Sequence, residues 1–343
     1  MDIKVNASTP YKVMVGAKGV DRLKNFIDEI KPVKPQKILL FSDSNVFKLY
    51  GNQMIDKLGG YTIVPYVFKA GEKRKRMKTV LKALNLMAKN EFSRSDLVLA
   101  FGGGVCGDMA GFTASVYMRG IKWINVPTTL LAMIDSSVGG KTGVDLSCAK
   151  NMIGSFYQPT LVVCDNDFLN TLPKNEWKNG IGEGIKYAIL DGEILELELG
   201  LDSENAARFV DKCVRIKKRI VEEDEKESGA RMFLNLGHTY GHAVEKLSKY
   251  KVPHGIAVGA GLRWIIDVAT SMEVMEEGED DAKMVALLDK YEMPYIKYKK
   301  EKMIKAIWSD KKRKGDNISL IIPSGFGNCG IVEFDKKSVE DLL

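Results

Sequence analysis

LVLAFGGGVCGD, Leu97 to Asp108, decides the reading of the fold. Five apolar residues, Leu97 to Phe101, run without interruption into glycines, and a helical pattern follows from Asp108. An unbroken apolar run of that length suits a strand buried on both faces of a parallel sheet. Gly102, Gly104 and Gly107 stand in G-x-G-x-x-G order between the strand and the helix. Lacking side chains, they let the backbone come close to a pyrophosphate, and the positive end of the next helix favours its charge. The same glycines would also serve a tight strand-to-helix turn. The loop arrives after roughly a hundred residues instead of after the first strand, so the spacing predicts a variant dinucleotide site.

Outward from this loop the strand and helix patterns alternate. Ile38 to Phe41, Tyr61 to Phe68, Trp123 to Val126 and Leu161 to Val163 read as further buried strands. Lys78 to Lys89 places Val80, Leu81, Leu84 and Met87 at helical spacing, and residues 1–16 alternate about a Ser-Thr-Pro turn as a hairpin does. From Leu172 amphipathic helices dominate until a last apolar run at Ile318 to Ile322. A chain of 343 residues exceeds one ordinary core. The expectation is an α/β domain over 1–171 and a mainly α-helical domain over 172–343.

Composition narrows the function. Apolar residues make up 45% and charged residues 28%, a globular balance far from disordered or membrane chains. No stretch of about 18 apolar residues occurs, and MDIKVNASTPYKV lacks the apolar run of a signal peptide. Cys106, Cys148, Cys164, Cys213 and Cys329 never form a C-x-x-C pair, so they read as reduced thiols of a cytoplasmic protein. The net charge of +6 arises from 51 basic residues interspersed with 45 acidic ones. That suits an anionic small substrate and predicts neither nucleic-acid nor membrane binding. The runs KRKRMK (Lys73 to Lys78) and KKRK (Lys311 to Lys314) are compatible with a solvated face.

Four further features carry chemistry. DSSVGGKTG, Asp135 to Gly143, approximates a triphosphate-binding loop, but Asp135 occupies the place of the first glycine and TTLLAMI separates it from the preceding strand. What remains is a glycine-flexed loop offering Asp135 and Lys141 to a polar substrate. His238, His242 and His254 are the chain's only three histidines and lie within one short segment. His238 and His242 are four apart, on one face of a helix, and neutral imidazoles suit a divalent metal with one open position. Read from spacing alone, the ligands are these three. Lys217 stands on the edge of the apolar stripe Phe209, Cys213, Ile216 and Ile220, where it needs either an anion or a stem that snorkels to water. Gly180, Gly182 and Gly184 interrupt a helical pattern at about 1 kcal/mol each relative to alanine, so something must approach that backbone closely. Glu183 and Lys186 beside them are i, i+3 neighbours and could form only a surface ion pair.

Together these segments resemble the 3-dehydroquinate synthases, members of the sugar phosphate cyclases. The likeness includes SDSNV (Ser42 to Val46), GEKRK (Gly71 to Lys75), GGGVCGDMAGF (Gly102 to Phe112), YMRG (Tyr117 to Gly120) and VPTTLLAMIDSSVGGKTGVD (Val126 to Asp145). It continues through KNMIGSFYQP (Lys150 to Pro159), GEGIKYAI (Gly182 to Ile189), GARMFLNLGHTYGHAVE (Gly229 to Glu245), His254-Gly255 and DKK (Asp310 to Lys312). The resemblance implies a Rossmann-like α/β domain that binds NAD, a mainly helical domain that binds a divalent metal, zinc or cobalt, and substrate in a cleft between them. It replaces the three-histidine set by Glu183, His238 and His254, and turns His242 toward substrate. Asp43, Asn45, Glu72, Lys75, Gly103, Gly104, Val105, Asp108, Thr128, Thr129, Lys141 and Lys150 would line the NAD site.

Substrate contacts implied in the same way are Asp135, Lys141, Lys150, Asn151, Lys186, Lys217, Arg231, Asn235, His242 and Lys312 of the DKK motif. His242, Asn235, Lys141, Glu183 and Arg119 would be catalytic, with Arg119 reaching the neighbouring subunit of a homodimer. The implied reaction converts 3-deoxy-D-arabino-heptulosonate 7-phosphate to 3-dehydroquinate and phosphate, the second step of the shikimate pathway. Ile256, Ala230 and Gly182 stand where relatives commonly carry glutamate, leucine and alanine, which leaves the packing around His254 open. The alternatives are a sibling cyclase with a substrate lacking the carboxylate, a metal-dependent polyol dehydrogenase, and a catalytically silent binding protein.

Overall fold

The computed structural model describes residues 1–147, 149–192, 203–227, 229–275, 278–308, 313–314 and 317–343. It divides into two compact units, Met1–Leu172 with Gly200–Glu225, and Pro173–Leu199 with Lys226–Leu343.

The first unit is built on a seven-stranded sheet. Its strands are β1 (Asp2–Val5), β2 (Tyr11–Val15), β3 (Lys37–Asp43), β4 (Thr62–Phe68), β5 (Leu97–Gly102), β6 (Trp123–Pro127) and β9 (Leu161–Cys164), while β7 (Lys141–Val144) and β8 (Ile153–Phe156) form a separate antiparallel pair. The order is β1-β2-β9-β6-β5-β3-β4, with only β1 antiparallel to its neighbour. Its helices are α1 (Leu23–Asp28), α2 (Ser44–Lys57), α3 (Met77–Lys89), α4 (Gly104–Val116) and α6 (Ser203–Glu223). Every residue of β5 is buried, as its apolar run requires. Leu39, Phe41, Val98 and Ala100 join Val80, Ala83 and Met87 of α3 and Met109 and Ala110 of α4 in one core cluster. Phe101 points the other way and meets Phe168 edge-on at 5.3 Å between ring centroids.

β3 and β5 are neighbours, but the chain leaving β3 turns to β4 on one side and the chain leaving β5 turns to β6 on the other. Such a reversal opens a crevice at the carboxyl ends of the two strands. Those ends are Asp43 and Gly102, so sheet order alone brings the aspartate of SDSNV to the glycine loop.

The second unit contains α5 (Lys174–Asp191), α7 (His238–Leu247), α8 (His254–Ser271), α9 (Glu279–Lys290), α10 (Lys300–Ile307) and α11 (Lys336–Asp341), with an antiparallel sheet of β10 (Arg313–Lys314), β11 (Asn317–Gly325) and β12 (Asn328–Asp335). The apolar run Ile318 to Ile322 lies in β11, whereas β12 had no comparable signal because its outer face is exposed. Three helices meet backbone to backbone. A Cβ on Gly182 of α5 would stand 2.0 Å from the carbonyl oxygen of Gly255, one on Gly255 only 1.8 Å from that of Asn179, and one on Gly261 of α8 only 1.9 Å from that of Gly237. The close approach expected at Gly182 is thus made by another helix.

The division into 1–171 and 172–343 does not foresee α6. This helix lies in the first unit because it buries Phe209, Val210, Cys213 and Val214 there, beside the turns that follow β6 and β9. Among the described residues, Cys106, Cys164, Cys213 and Cys329 are free thiols, and no helix is long and apolar enough to cross a membrane.

Two stability outcomes follow. Asp96, 3% exposed, accepts from the backbone nitrogens of Gln36, Lys37 and Ser93 and from the Ser93 hydroxyl, tying the start of β3 to that of β5. Burial pushes its pKa up, but these donors outweigh it and hold the group below the usual carboxylate range. Its contribution is therefore full above the unfolded value of about 3.9 and is lost as pH falls through the lower folded value. Asp96→Asn should cost about 1–3 kcal/mol at neutral pH in denaturant titrations and flatten the acid limb of the stability curve. Gly255→Ala should lower stability by about 1–3 kcal/mol, since backbone must move; an unchanged melting curve would mean that α5 and α8 yield freely.

Candidate metal and nucleotide sites

Three chain segments of the second unit converge on Glu183. It lies on α5 one residue beyond the Gly182 contact, while His238 and His254 are the first residues of α7 and α8. The glycine before α7, Gly237, takes φ +74° and packs against Leu262 of α8, which sets where α7 begins. The helix-to-helix contacts at glycine therefore fix the spacing of these three side chains. Their ligand atoms all lie within 4.8 Å of one another. His238 Nε2 is 3.3 Å and His254 Nε2 3.1 Å from Glu183 Oε1.

The donor set fits a divalent cation. Glu183 is fully buried, and neither carboxylate oxygen accepts a well-formed hydrogen bond, although Lys186 Nζ lies 2.5 Å from Oε2. A buried carboxylate in that state is costly unless a cation completes its surroundings. His238 Nδ1 lies 3.0 Å from the Leu236 carbonyl oxygen, which can only accept, so Nδ1 carries the proton and Nε2 keeps its lone pair toward Glu183. Burial pushes the His238 pKa down to about 4, which favours the neutral ligand form. Burial also opposes charge on His254, but hydrogen bonds to Glu183 and Glu245 outweigh it and push the pKa up to about 10. For Glu183 burial is outweighed by Lys186 and His238, and the carboxyl is held well below its usual range. His242 stands one turn beyond His238, with ring centroids 5.5 Å apart, and groups instead with Glu245 and His254. The spacing of three histidines pointed to a segment that the fold brings beside Glu183, whereas that carboxylate comes from a helix more than fifty residues earlier and had no local signal.

Of the other sites expected in this unit, Lys186 and Arg231 are each 1% exposed, and Asn235 donates to Glu227 Oε1 at 3.3 Å. Lys312 lies outside the described residues.

The first unit gathers the residues expected around a nucleotide. Gly103 caps α4 without a side-chain acceptor, leaving the first helical N–H groups for an anion. Side chains crowd the Cβ positions here: on Gly102 Cys106 Cβ would stand at 2.7 Å and Asp43 Oδ2 at 3.1 Å, on Gly103 Thr129 Cγ2 at 3.2 Å, and on Gly104 Ser136 Oγ at 2.9 Å. Asp43 Oδ1 caps α2 through the nitrogens of Asn45 and Val46. Thr128 ties the end of β6 to the loop through its nitrogen and the Gly102 carbonyl, and its buried hydroxyl has no hydrogen-bond partner. An unsatisfied hydroxyl beside an uncapped helix start is compatible with a bound nucleotide. Val105 is the second residue of α4.

A charge network adjoins this loop. Lys75 Nζ reaches Asp108 at 2.6 Å and also bonds Asn151, Lys150 pairs with Glu72 at 3.2 Å, and Asp145 accepts from the Asn151 nitrogen. Burial pushes the Asp108 carboxyl up despite Lys75, whereas Lys75 is held above its usual value because its acidic neighbours outweigh burial. Lys217 does have an inward anion: its Nζ meets Asp135 at 2.9 Å to Oδ1 and 2.7 Å to the backbone oxygen. Lys141 is exposed at the start of β7, and Arg119 is exposed in a turn where its φ is +67°. Asp145 is a member of this network that the sequence did not single out.

Comparison with known proteins gives the family. The descriptions "3-dehydroquinate synthase N-terminal" and "3-dehydroquinate synthase C-terminal" match residues 65–179 and 180–313. A 3-dehydroquinate synthase of Alkaliphilus metalliredigens is 43% identical over 85% of both chains, and that of Streptococcus mutans is 39% identical over 100% of this chain and 99% of its own. Among solved structures, a 2-deoxy-scyllo-inosose synthase complexed with carbaglucose-6-phosphate, NAD+ and Co2+ superposes with a TM-score of 0.91 at 24% identity, covering 100% and 99% of the two chains. The 2-epi-5-epi-valiolone synthase of Streptomyces hygroscopicus, with NAD+ and Zn2+ bound, gives 0.86 at 24% identity, covering 99% and 97%. Matched along its length in sequence and fold, the chain belongs to the 3-dehydroquinate synthase family.

Proposed function

We propose that the protein is an NAD- and metal-dependent 3-dehydroquinate synthase, a carbon–oxygen lyase converting 3-deoxy-D-arabino-heptulosonate 7-phosphate to 3-dehydroquinate and phosphate. The observation that carries this reading is the buried Glu183 carboxylate with His238 Nε2 and His254 Nε2 at 3.3 and 3.1 Å from its Oε1, in a chain 39% identical across its length to a synthase of that name. The relatives named dehydroquinate synthases stand well above the 24% identity of the sibling cyclases, which favours this substrate over one without a carboxylate.

When bound, NAD supplies a reversible hydride acceptor for the 5-hydroxyl and the metal supplies Lewis acidity at that oxygen, so the neighbouring C–H becomes acidic enough for phosphate to leave. Glu183, His238 and His254 would hold the metal; the loop at Gly103, Gly104 and Val105, with Asp43, Asn45, Thr128 and Thr129, would receive the dinucleotide. Lys75 is held by Asp108 and Asn151, so its ammonium is preorganised and little reorganisation accompanies binding. Asp135 and Lys217 are likewise fixed by each other. Lys186, Arg231, Lys150 and Lys141 supply positive charge for phosphate and carboxylate, and Asn151 and Asn235 add neutral donors. His242 is the candidate for moving a proton at the substrate hydroxyls, with Asn235 orienting it. NAD would serve as a recycled cofactor and not as a net oxidant.

Incubating purified protein with the heptulosonate phosphate should release phosphate in an NAD-dependent manner without building up NADH. Stripping the metal with a chelator should slow release at least about a hundredfold, the equivalent of about 3 kcal/mol of lost Lewis-acid stabilisation. Phosphate release indifferent to the chelator, or stoichiometric NADH, would sink the reading.

The working form is inferred to be a cytoplasmic homodimer in which Arg119 completes the partner's phosphate pocket. Support comes from the exposed turn that carries Arg119 and from exposed Val116 and Met118 beside it. Light scattering should return about twice 38.2 kDa. Mixed dimers of Arg119→Ala and His238→Ala chains should recover activity that neither variant has alone, and failure to recover any would remove Arg119 from the partner's site.

A further inference from the structure

Helix α7 carries His238, His242 and Glu245 at spacings of four and three, which places all three on one face. The chemistry above uses the two histidines and leaves Glu245 without a task. Glu245 is 4% exposed, and a carboxylate that deep in a protein needs a partner of its own. Its Oε2 lies 3.1 Å from His254 Nδ1. The His254 ring is therefore held between two carboxylates, Glu183 at Nε2 and Glu245 at Nδ1. His238 has a different arrangement, with its Nδ1 backed by the uncharged Leu236 carbonyl. An ionised carboxylate on Nδ1 fixes the tautomer, limits ring rotation and makes Nε2 a better electron-pair donor than a carbonyl does. Glu183 and Glu245 also bring two negative charges to the place where a dication would add two positive ones.

We propose that Glu245 is a positioning residue of the metal centre, acting through the His254 ring without touching the ion. The inference rests on the reading that Glu183, His238 and His254 hold the metal. Glu245 and His254 also group with His242 as a possible second donor set, so the test must separate a ligand from a residue that orients one.

The full chain, stripped with a chelator, is titrated with Co2+ against a chromophoric competitor, using wild type, Glu183→Gln and Glu245→Gln. The glutamine variant keeps shape and removes charge. Glu245→Gln should bind Co2+ about 10–100-fold more weakly, while the saturated site keeps the visible absorption envelope of the wild type and the metal-free protein keeps its melting temperature. Glu183→Gln should lose far more affinity and change the envelope. Equal affinity of Glu245→Gln and wild type, with Glu183→Gln impaired, would overturn the role of Glu245 and leave the ligand set standing. A changed envelope in Glu245→Gln would make it a ligand, and a matching drop in metal-free melting would make its role structural; either overturns the proposal. Wild type that binds no Co2+ overturns the proposal and the ligand set together.

Discussion

A carboxylate buried without well-formed hydrogen bonds organises the second unit. Removing Glu183 from water carries a penalty of several kcal/mol, and the surrounding structure meets it with an ammonium on one oxygen and two imidazoles on the other. Each of those groups must be delivered to within about 3 Å from a different turn or helix. Delivery depends on α5 and α8 touching through glycine backbone, because any side chain at Gly255 would force the helices apart and carry His254 away from Glu183. Packing and electrostatics are thus one problem here: the glycines cost helix propensity, and the return is a short distance between charged groups.

The first unit is arranged differently, without a permanent positive cluster at its glycine loop. The uncapped start of α4 supplies partial positive charge, and the cations nearby are already paired, Lys75 with Asp108, Lys150 with Glu72, Lys217 with Asp135. Paired cations hold their geometry before any ligand arrives, which is what electrostatic preorganisation asks for.

What could be read from the sequence follows the range of the forces involved. Buried strands such as Leu97 to Phe101 announce themselves because apolar runs and glycine loops are local patterns; β5 begins at Leu97 as its run does, while α4 begins at Gly104, earlier than Asp108, because its first turn is made of the glycines that masked the helical pattern. The histidine segment was legible for the same reason. Motif resemblance added Glu183 and moved His242 out of the expected ligand set, a distinction that spacing alone cannot make. The inward Lys217 was recognisable, yet its anion, Asp135, lies 82 residues away and spacing alone could not pair them. Glu245 sits inside a quoted motif but reads as an ordinary helix acid until α8 places an imidazole beside it. The β7–β8 pair was hidden because its strands are only four residues long and are interrupted by Gly143 and Gly154.

The helix α6 gives the chain an unusual order of assembly. Synthesis from the N-terminus completes all seven strands of the large sheet by Cys164, but Asp135 has no Lys217 until α6 has been made. By then α5, with Glu183, already exists, though His238 and His254 do not. The nascent chain therefore passes through a stage in which one unit awaits its last helix while Glu183 has neither imidazole beside it. No single cut of the polypeptide yields both units whole.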